Sequence, residues 1–418
     1  MLPDVHQVEL DNGFRALLIA RRNLPVVAST LWYRVGSRDE RTGETGLSHF
    51  LEHMMFKGTD RYAKGEIDLL TSKMGGSNNA FTSHDVTSYY FALAADRWET
   101  ALEIEASRMT ACTLDEAEFA AEKNVVLEEL AMGEDDPWQA LYQTLESTAF
   151  QVHPYHHPVI GWREDLERLE VSGMRDYYQR NYGPNRAFLV AVGDLDIART
   201  KRRVTELFDA LPPAAERDVV NGEPQQRGQR RATRYHAGAG GILRGAVSYP
   251  TCRMGEADDF ALDVVSHILG GSKTSRLYRR LVLDEQIASN VWVINEVRLD
   301  PGLFTIGVEL RDGRDPDEAE AMLAEEIGRL ASRGATRSEL SAVRMQLRSA
   351  YLFEEETVLD IALRIGRFEA TTDQGHRLLA DVLERYESVT SAKVKEITRR
   401  YLDADRSNFV WVRGERGS

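Results

Sequence analysis

The chain has 418 residues, more than one ordinary hydrophobic core organises, so two domains or more are expected. A hydrophobic fraction of 42% is normal for a soluble globular protein, no apolar run reaches the length of a membrane span, and a net charge of −15 argues against nucleic acid as a partner. Cys112 and Cys252 are the only cysteines, which excludes a disulfide framework and any C-x-x-C motif. Met1-Leu2-Pro3-Asp4 leads almost directly into a strand-like stretch, so no signal peptide is visible. The cytoplasm is the expected compartment, with the periplasm as the alternative had an export signal been trimmed.

Strand patterns open the chain at residues 5–10 and, after a turn at Asp11-Asn12-Gly13, at residues 14–20. Residues 26–35 form a third apolar run, rich in β-branched and aromatic side chains. After a loop and Gly46 comes His49-Phe50-Leu51-Glu52-His53. Helical positions four apart lie one turn apart and about 40° apart in azimuth, so His49 and His53 can direct two imidazoles at one metal ion. Glu52 adjoins the same face, within reach of a water on that metal. Two neutral nitrogens and an adjacent base suit zinc-assisted hydrolysis. The usual zincin order places Glu after the first His; the reversed His-x-x-Glu-His spelling is the inverzincin signature. Packing histidines on an amphipathic helix are the competing reading. Against it, Leu47, Phe50, Leu51 and Met54 already form the apolar stripe and leave the histidines and Glu52 on another side.

Gly75-Gly76-Ser77 precedes a strand pair over residues 78–93. Within it, Asn79-Ala80-Phe81-Thr82 reads as a strand with a small residue, suited to close approach by another backbone, or as an ordinary internal strand. A long helix is predicted over residues 114–132, with Thr113 and Glu116 spaced as a capping box. On that helix Glu118, Glu122 and Glu129 share one face, and Glu128 points elsewhere. Zinc requires a third protein ligand and keeps its fourth position for water, so this acidic face is the candidate source without a single residue being selected. His84 and the histidines of His153-Pro154-Tyr155-His156-His157 read as loop residues, since Pro154 breaks helical register in that run.

Residues 212–232 lack hydrophobic periodicity and read as a linker. Beyond it the pattern restarts. Val265-Ser266-His267-Ile268-Leu269-Gly270-Gly271 aligns with Leu47-Ser48-His49-Phe50-Leu51-Glu52-His53, and Arg400-Tyr401 through Arg406 to Val412 aligns with Asn181-Tyr182 through Arg186 to Val192. The fold class expected is α+β: two homologous α+β domains, each a sheet covered by helices, at 1–211 and 233–418. Gly270 and Gly271 replace Glu52 and His53, so His267 is expected to be structural and only the first half to hold a metal.

The stretches from Gly46 to Thr59, Gly75 to Ala80 and Glu122 to Glu129 carry a resemblance that spans both halves. The chain resembles the pitrilysin/insulinase family of zinc peptidases, in a short form akin to the β subunit of mitochondrial processing peptidase. The resemblance implies half of a clamshell-like metalloendopeptidase holding one Zn2+ per chain. It places the third ligand 76 positions past His53, on Glu129, and a supporting acid seven residues earlier, on Glu122; Met345 and Leu352 stand near these offsets in the second copy. It implies zinc-activated water as nucleophile, Glu52 as general base, and Asn79, Ala80, Phe81 and Thr82 as an edge strand to which substrate adds. Family members that act alone carry an arginine and a tyrosine in their second half; the corresponding positions here are Val282 and Ser289. A heterodimer with a homologous subunit supplying that Arg/Tyr pair is therefore implied. The alternatives are a homodimer using Arg276 or Arg279, and a non-catalytic scaffold or peptide-binding subunit of the same fold.

Overall fold

The computed structural model describes residues 4–216, 218–353 and 356–414; Met1, Leu2 and Pro3, read above for a leader, lie outside the described residues. The first sheet contains β1 (His6–Glu9), β2 (Arg15–Ala20), β3 (Val26–Tyr33), β4 (Ser77–Thr82), β5 (Thr87–Ala94) and β6 (Ala187–Gly193), in the order β1-β2-β6-β3-β5-β4. The second contains β7 (Arg230–Tyr235), β8 (Arg244–Pro250), β9 (Ala288–Glu296), β10 (Leu303–Leu310) and β11 (Asn408–Arg413), in the order β7-β11-β8-β10-β9. Apart from the extra edge strand β1, the sheets have one topology. The pairs β2–β6 and β7–β11 are parallel and the remaining pairs antiparallel. The internal repeat is thus a repeat of fold. The short helix carrying the histidine motif, Leu47–Met54, lies between β3 and β4, and its counterpart Asp259–Gly270 lies in the corresponding place between β8 and β9.

Period-two alternation places β6 in two cores at once. Ala187, Leu189 and Ala191 join the cluster beneath the motif helix, and Phe188, Val190 and Val192 join one on the opposite sheet face. Burial on both faces explains why this strand reads as continuously apolar.

The compact units are interleaved along the chain. One comprises Met1–Leu130, His157–Val220 and Leu352–Ala380; the other comprises Ala131–His156, Asn221–Tyr351 and Asp381–Ser418. The boundaries read from the sequence, 1–211 and 233–418, follow the repeat in chain order. Compactness instead assigns helix Val358–Thr371 to the first unit and helix Pro137–Ala149 to the second. In the first unit Ile361, Ala362 and Ile365 cover Leu17, Ile19, Trp32 and Phe188. Gly366 permits this approach, since a Cβ there would lie 2.1 Å from Trp32 Cε2. Glu369 fastens the helix end: Oε1 accepts from Arg15 Nη1 at 2.7 Å, and Oε2 lies 2.7 Å from His376 Nδ1. In the second unit Leu141 and Leu145 cover Ala246, Val410 and Val412.

Three local expectations shift. The acidic helix spans Glu116–Glu134, and Asp115 caps it by accepting from the Ala117 and Glu118 N–H groups at 2.9 and 3.0 Å. Thr113 therefore does not cap: Leu114, at φ 42°, turns the chain between it and the helix, and the Thr113 hydroxyl donates to Gly58 O. The 26–35 run is strand only over Val26–Tyr33, and residues 230–232, read as linker, already belong to β7. Among the described residues no helix is long and apolar enough to cross a membrane.

Candidate metal centre

The motif helix buries Leu47, Ser48, Phe50, Leu51 and Met54 and leaves His49, Glu52 and His53 half-buried on its other side. Phe50 stacks on Phe119 at a centroid separation of 4.6 Å, which aligns the acidic helix alongside. With Phe119, Val126 and Leu130 facing the core, Glu122 and Glu129 come round toward the histidines. Glu129 Oε1 lies 3.7 Å from His49 Nε2, and Oε2 lies 3.6 Å from His53 Nε2. One ligand atom from each of the three residues lies within 4.8 Å of the others. Ligands held tetrahedrally at zinc–nitrogen and zinc–oxygen distances of about 2.1 Å are about 3.4 Å apart, close to both Glu129–imidazole distances, and two imidazoles with one carboxylate are a donor set that suits zinc.

Glu122 lies behind this triad. Its Oε1 is 3.0 Å from His53 Nδ1 and its Oε2 is 2.6 Å from Lys57 Nζ. That contact favours the His53 tautomer with Nδ1–H, leaving Nε2 free to ligate. Burial pushes the Glu122 carboxyl up, but the hydrogen bonds from Lys57 and His53 outweigh it, and the net direction is down. His49 differs: its Nδ1 is buried without a hydrogen-bond partner among the described residues. Burial, aided by His53, lowers His49 to about 4 and keeps it neutral. Glu118, the third acid of the face, is instead turned to Lys64, with Nζ 2.6 Å from its Oε2.

Glu52 sits beside the triad, and Thr82 Oγ1 donates to its Oε2 at 2.6 Å. Burial pushes Glu52 up and Glu129 adds to this, against the Thr82 bond and the nearby His53. The alternation of β4 accounts for the Thr82 contact. Ala80 packs toward the motif-helix core and Asn78 bonds Thr71, whereas Phe81 points to the opposite face, edge-on to Trp32 at 5.5 Å. β4 is an edge strand of its sheet, and the Ala80 N–H donates to Asn79 Oδ1 at 2.9 Å. The sequence placed Thr82 in a strand but not against Glu52. The two residues are thirty positions apart, and no spacing rule links them.

The second copy lacks these features. His267 Nδ1 lies 2.9 Å from Asp263 O of its own helix, and among the described residues it joins no group of metal-ligating type. A Cβ at Gly270 would lie 2.3 Å from Val293 Cγ2, so the helix end is packed against β9. Met345 and Leu352 are exposed. Of the loop histidines, His153 Nε2 is 3.0 Å from Asp300 Oδ2, His156 Nδ1 is 2.9 Å from His153 O, and His157 Nδ1 is 3.8 Å from Glu40 Oε2. His84 likewise stands outside the metal-type group.

Residues 15–162 match the family described as insulinase, peptidase family M16, and residues 169–347 match the peptidase M16 inactive domain. The chain is 28% identical over 421 residues to the zinc protease PqqE of Helicobacter pylori, covering 99% of this chain and 93% of that protein. It is 26% identical over 412 residues to a probable mitochondrial-processing peptidase subunit beta of Arabidopsis thaliana, covering 96% of this chain and 76% of that protein. The crystal structure of a protease from Helicobacter pylori matches with a TM-score of 0.93 at 26% identity, covering 99% of this chain and 100% of that one. The two matched stretches take in both copies of the repeat, and the chain belongs to the insulinase family of peptidases, M16, in its short two-domain form.

Proposed function

We propose that the chain is the zinc-bearing subunit of a metalloendopeptidase that hydrolyses peptides or unfolded segments. The observation that carries this is the convergence of His49, His53 and Glu129 beside a carboxylate, Glu52, that is oriented by Thr82. His49, His53 and Glu129 would hold the zinc ion, which supplies a Lewis acid and acidifies water toward neutrality. Glu52 takes the proton of the attacking water and returns it to the leaving amine. Thr82 restricts the rotation of Glu52, and Glu122 orients His53. An extended peptide adds to the β4 edge along Asn79, Ala80, Phe81 and Thr82 by main-chain hydrogen bonds, a mode that favours unfolded substrates.

The donors for the carbonyl oxygen are expected from a partner. Val282 is 7% exposed in the core of the second copy, and the Ser289 hydroxyl donates to Glu309 Oε1 at 2.8 Å. Neither supplies a cation or phenol, and each absent donor costs about 2.7–4 kcal/mol in the transition state. We therefore place the chain in a heterodimer with a homologous subunit carrying Arg and Tyr at these positions. The name of the Arabidopsis relative, a subunit beta, is consistent with that assembly. For the homodimer reading, Arg276 is already engaged: its Nε and Nη2 donate to Glu339 at 2.7 and 2.9 Å, and Nη2 also to Gly334 O. Arg279 remains exposed.

The test is cleavage of a quenched fluorescent peptide by the zinc-loaded chain, alone and with a homologous two-copy subunit bearing the Arg/Tyr pair, with Glu52→Gln as control. Strong stimulation by the partner and loss of turnover in Glu52→Gln are expected. Full activity from the lone chain rejects the partner requirement. A chain isolated without stoichiometric zinc and indifferent to Glu52→Gln is a scaffold or a peptide-binding subunit.

A further inference from the structure

The start of the motif helix poses a capping problem that its own residues cannot solve. A helix N-terminus leaves its first N–H groups unpaired, and a Ser, Thr, Asp or Asn at the preceding position normally accepts from one of them. That position is Gly46, at φ +91°, and a Cβ there would lie 2.4 Å from Ile160 O. No side chain fits. The acceptor comes from six residues upstream: Glu40 Oε2 accepts from Gly46 N at 2.8 Å and Oε1 from Ser48 N at 2.7 Å. Glu40 is 7% exposed and takes no part in the chemistry described above.

Burial pushes the Glu40 carboxyl up to about 8, with the Ser48 and Gly46 N–H bonds acting against it. Here both oxygens are used on N–H groups two residues apart, the second belonging to the residue immediately before His49. The groups facing Glu40 are His157 Nδ1, 3.8 Å from Oε2, and, by their electrostatic effect, Asp39 and the Tyr177 and Tyr182 phenols. Ser48 is held a second time, its Oγ lying 2.6 Å from Tyr177 OH. A two-point clamp of this kind fixes the helix against rotation about its axis as well as against fraying. An imidazole nitrogen stands about 5–6 Å off that axis, so a rotation of about 15–20° displaces it by about 1.3–2.1 Å. Functional constellations tolerate displacements of only about 0.5 Å.

We propose that Glu40 is a positioning residue of the metal site: by clamping the Gly46 and Ser48 N–H groups it sets the rotational phase of the motif helix and so aims His49 and His53 at Glu129. The inference rests on the zinc reading of that triad. It goes beyond that reading in assigning the aim of the ligands to a residue outside the motif, its helix and the acidic face.

The test compares wild type, Glu40→Gln and Glu40→Asp, each prepared metal-free. Zinc dissociation constants are measured by competition with a chromophoric chelator, absorption spectra are taken after cobalt substitution, and circular dichroism reports folding. Glutamine keeps the volume but sets an amide N–H2 against one backbone N–H. Aspartate keeps the carboxyl group but falls one methylene short. Folded Glu40→Gln is expected to bind zinc about tenfold more weakly or worse, the usual effect of losing a group that orients ligands, with shifted cobalt bands. Glu40→Asp is expected to lie between it and wild type. A purely structural role would lower the melting temperature and leave zinc affinity and the cobalt spectrum of the folded protein unchanged; that result, or failure of both variants to fold, overturns the proposal. If Glu40→Gln alone fails to fold, Glu40→Asp decides. Wild type that binds no zinc instead overturns the metal reading itself.

Discussion

Replacing Glu122 by glutamine tests whether the acid behind the triad acts through His53 or merely caps Lys57. In the native site one carboxylate makes both contacts, Oε1 at 3.0 Å from His53 Nδ1 and Oε2 at 2.6 Å from Lys57 Nζ. The Lys57 and His53 hydrogen bonds draw its carboxyl below the ordinary range, so the residue is ionised at neutral pH. Glutamine preserves shape and retains one carbonyl acceptor. It cannot serve both donors, and it carries no charge, which turns charge-assisted hydrogen bonds into neutral ones of roughly half the strength. Loss of such a ligand-orienting group lowers metal affinity about 10–100-fold, equivalent to about 1.4–2.7 kcal/mol. Competition with a chromophoric chelator measures the shift. Glu129→Gln, which alters the proposed ligand itself, is expected to lose more, and Glu52→Gln should keep native affinity while losing turnover. Wild-type zinc affinity in Glu122→Gln would refute the reasoning, because the His53 tautomer would then be set without the carboxylate.

Further outcomes follow from neighbouring contacts. Thr82→Val removes a hydrogen bond that lowers the Glu52 carboxyl, so that carboxyl should rise further and the acidic limb of the pH profile of kcat/KM should move to higher pH; an unmoved limb rejects the role given to Thr82. For Glu369, burial acts upward, but the His376 hydrogen bonds and the Arg15 charge outweigh it and hold the carboxyl at about 2, against an ordinary 4.5. Its stabilising contribution, on the order of 2–3 kcal/mol, is present above pH 4.5 and disappears as pH falls through about 2. Urea titrations of Glu369→Gln and wild type should therefore differ at pH 7 and converge at strongly acid pH. Gly366→Ala brings a Cβ against Trp32 and should lower stability by about 1–3 kcal/mol, visible as a reduced Tm; an unchanged Tm means the helix can retreat without cost.

What was legible in the sequence was local or repeated. Helical spacing alone placed His49, His53 and Glu52 together, and the same geometry narrowed the third ligand to the face carrying Glu118, Glu122 and Glu129. Tertiary packing made the division within that face: the Phe50–Phe119 stack sets the acidic helix so that Glu129 meets both histidines while Glu118 meets Lys64. The two-copy architecture was legible because β6 and β11 close their halves with matching letters. Thr82 and Glu40 were not legible in these roles. Each acts through a contact that depends on how a strand or loop is laid against the motif helix, and neither residue type nor offset announces it. The helix cap was misplaced for a smaller reason: a single residue at positive φ, Leu114, separates Thr113 from the helix and passes capping to Asp115.

The exchange of helices between the two units has a consequence for biosynthesis. All six strands of the first sheet have left the ribosome by Gly193, but the helix that covers Leu17, Ile19, Trp32 and Phe188 is completed only at Thr371, 371 − 193 = 178 residues later. At roughly 5–20 residues per second that sheet face waits for roughly 9–36 s with its aromatic and aliphatic side chains uncovered. A nascent chain in this state is a client for holding chaperones. A product truncated before residue 358 should bind a hydrophobic dye that the full chain excludes. Duplication therefore did not leave two modules that can be parted again: each half of the gene encodes a strip of the other's core.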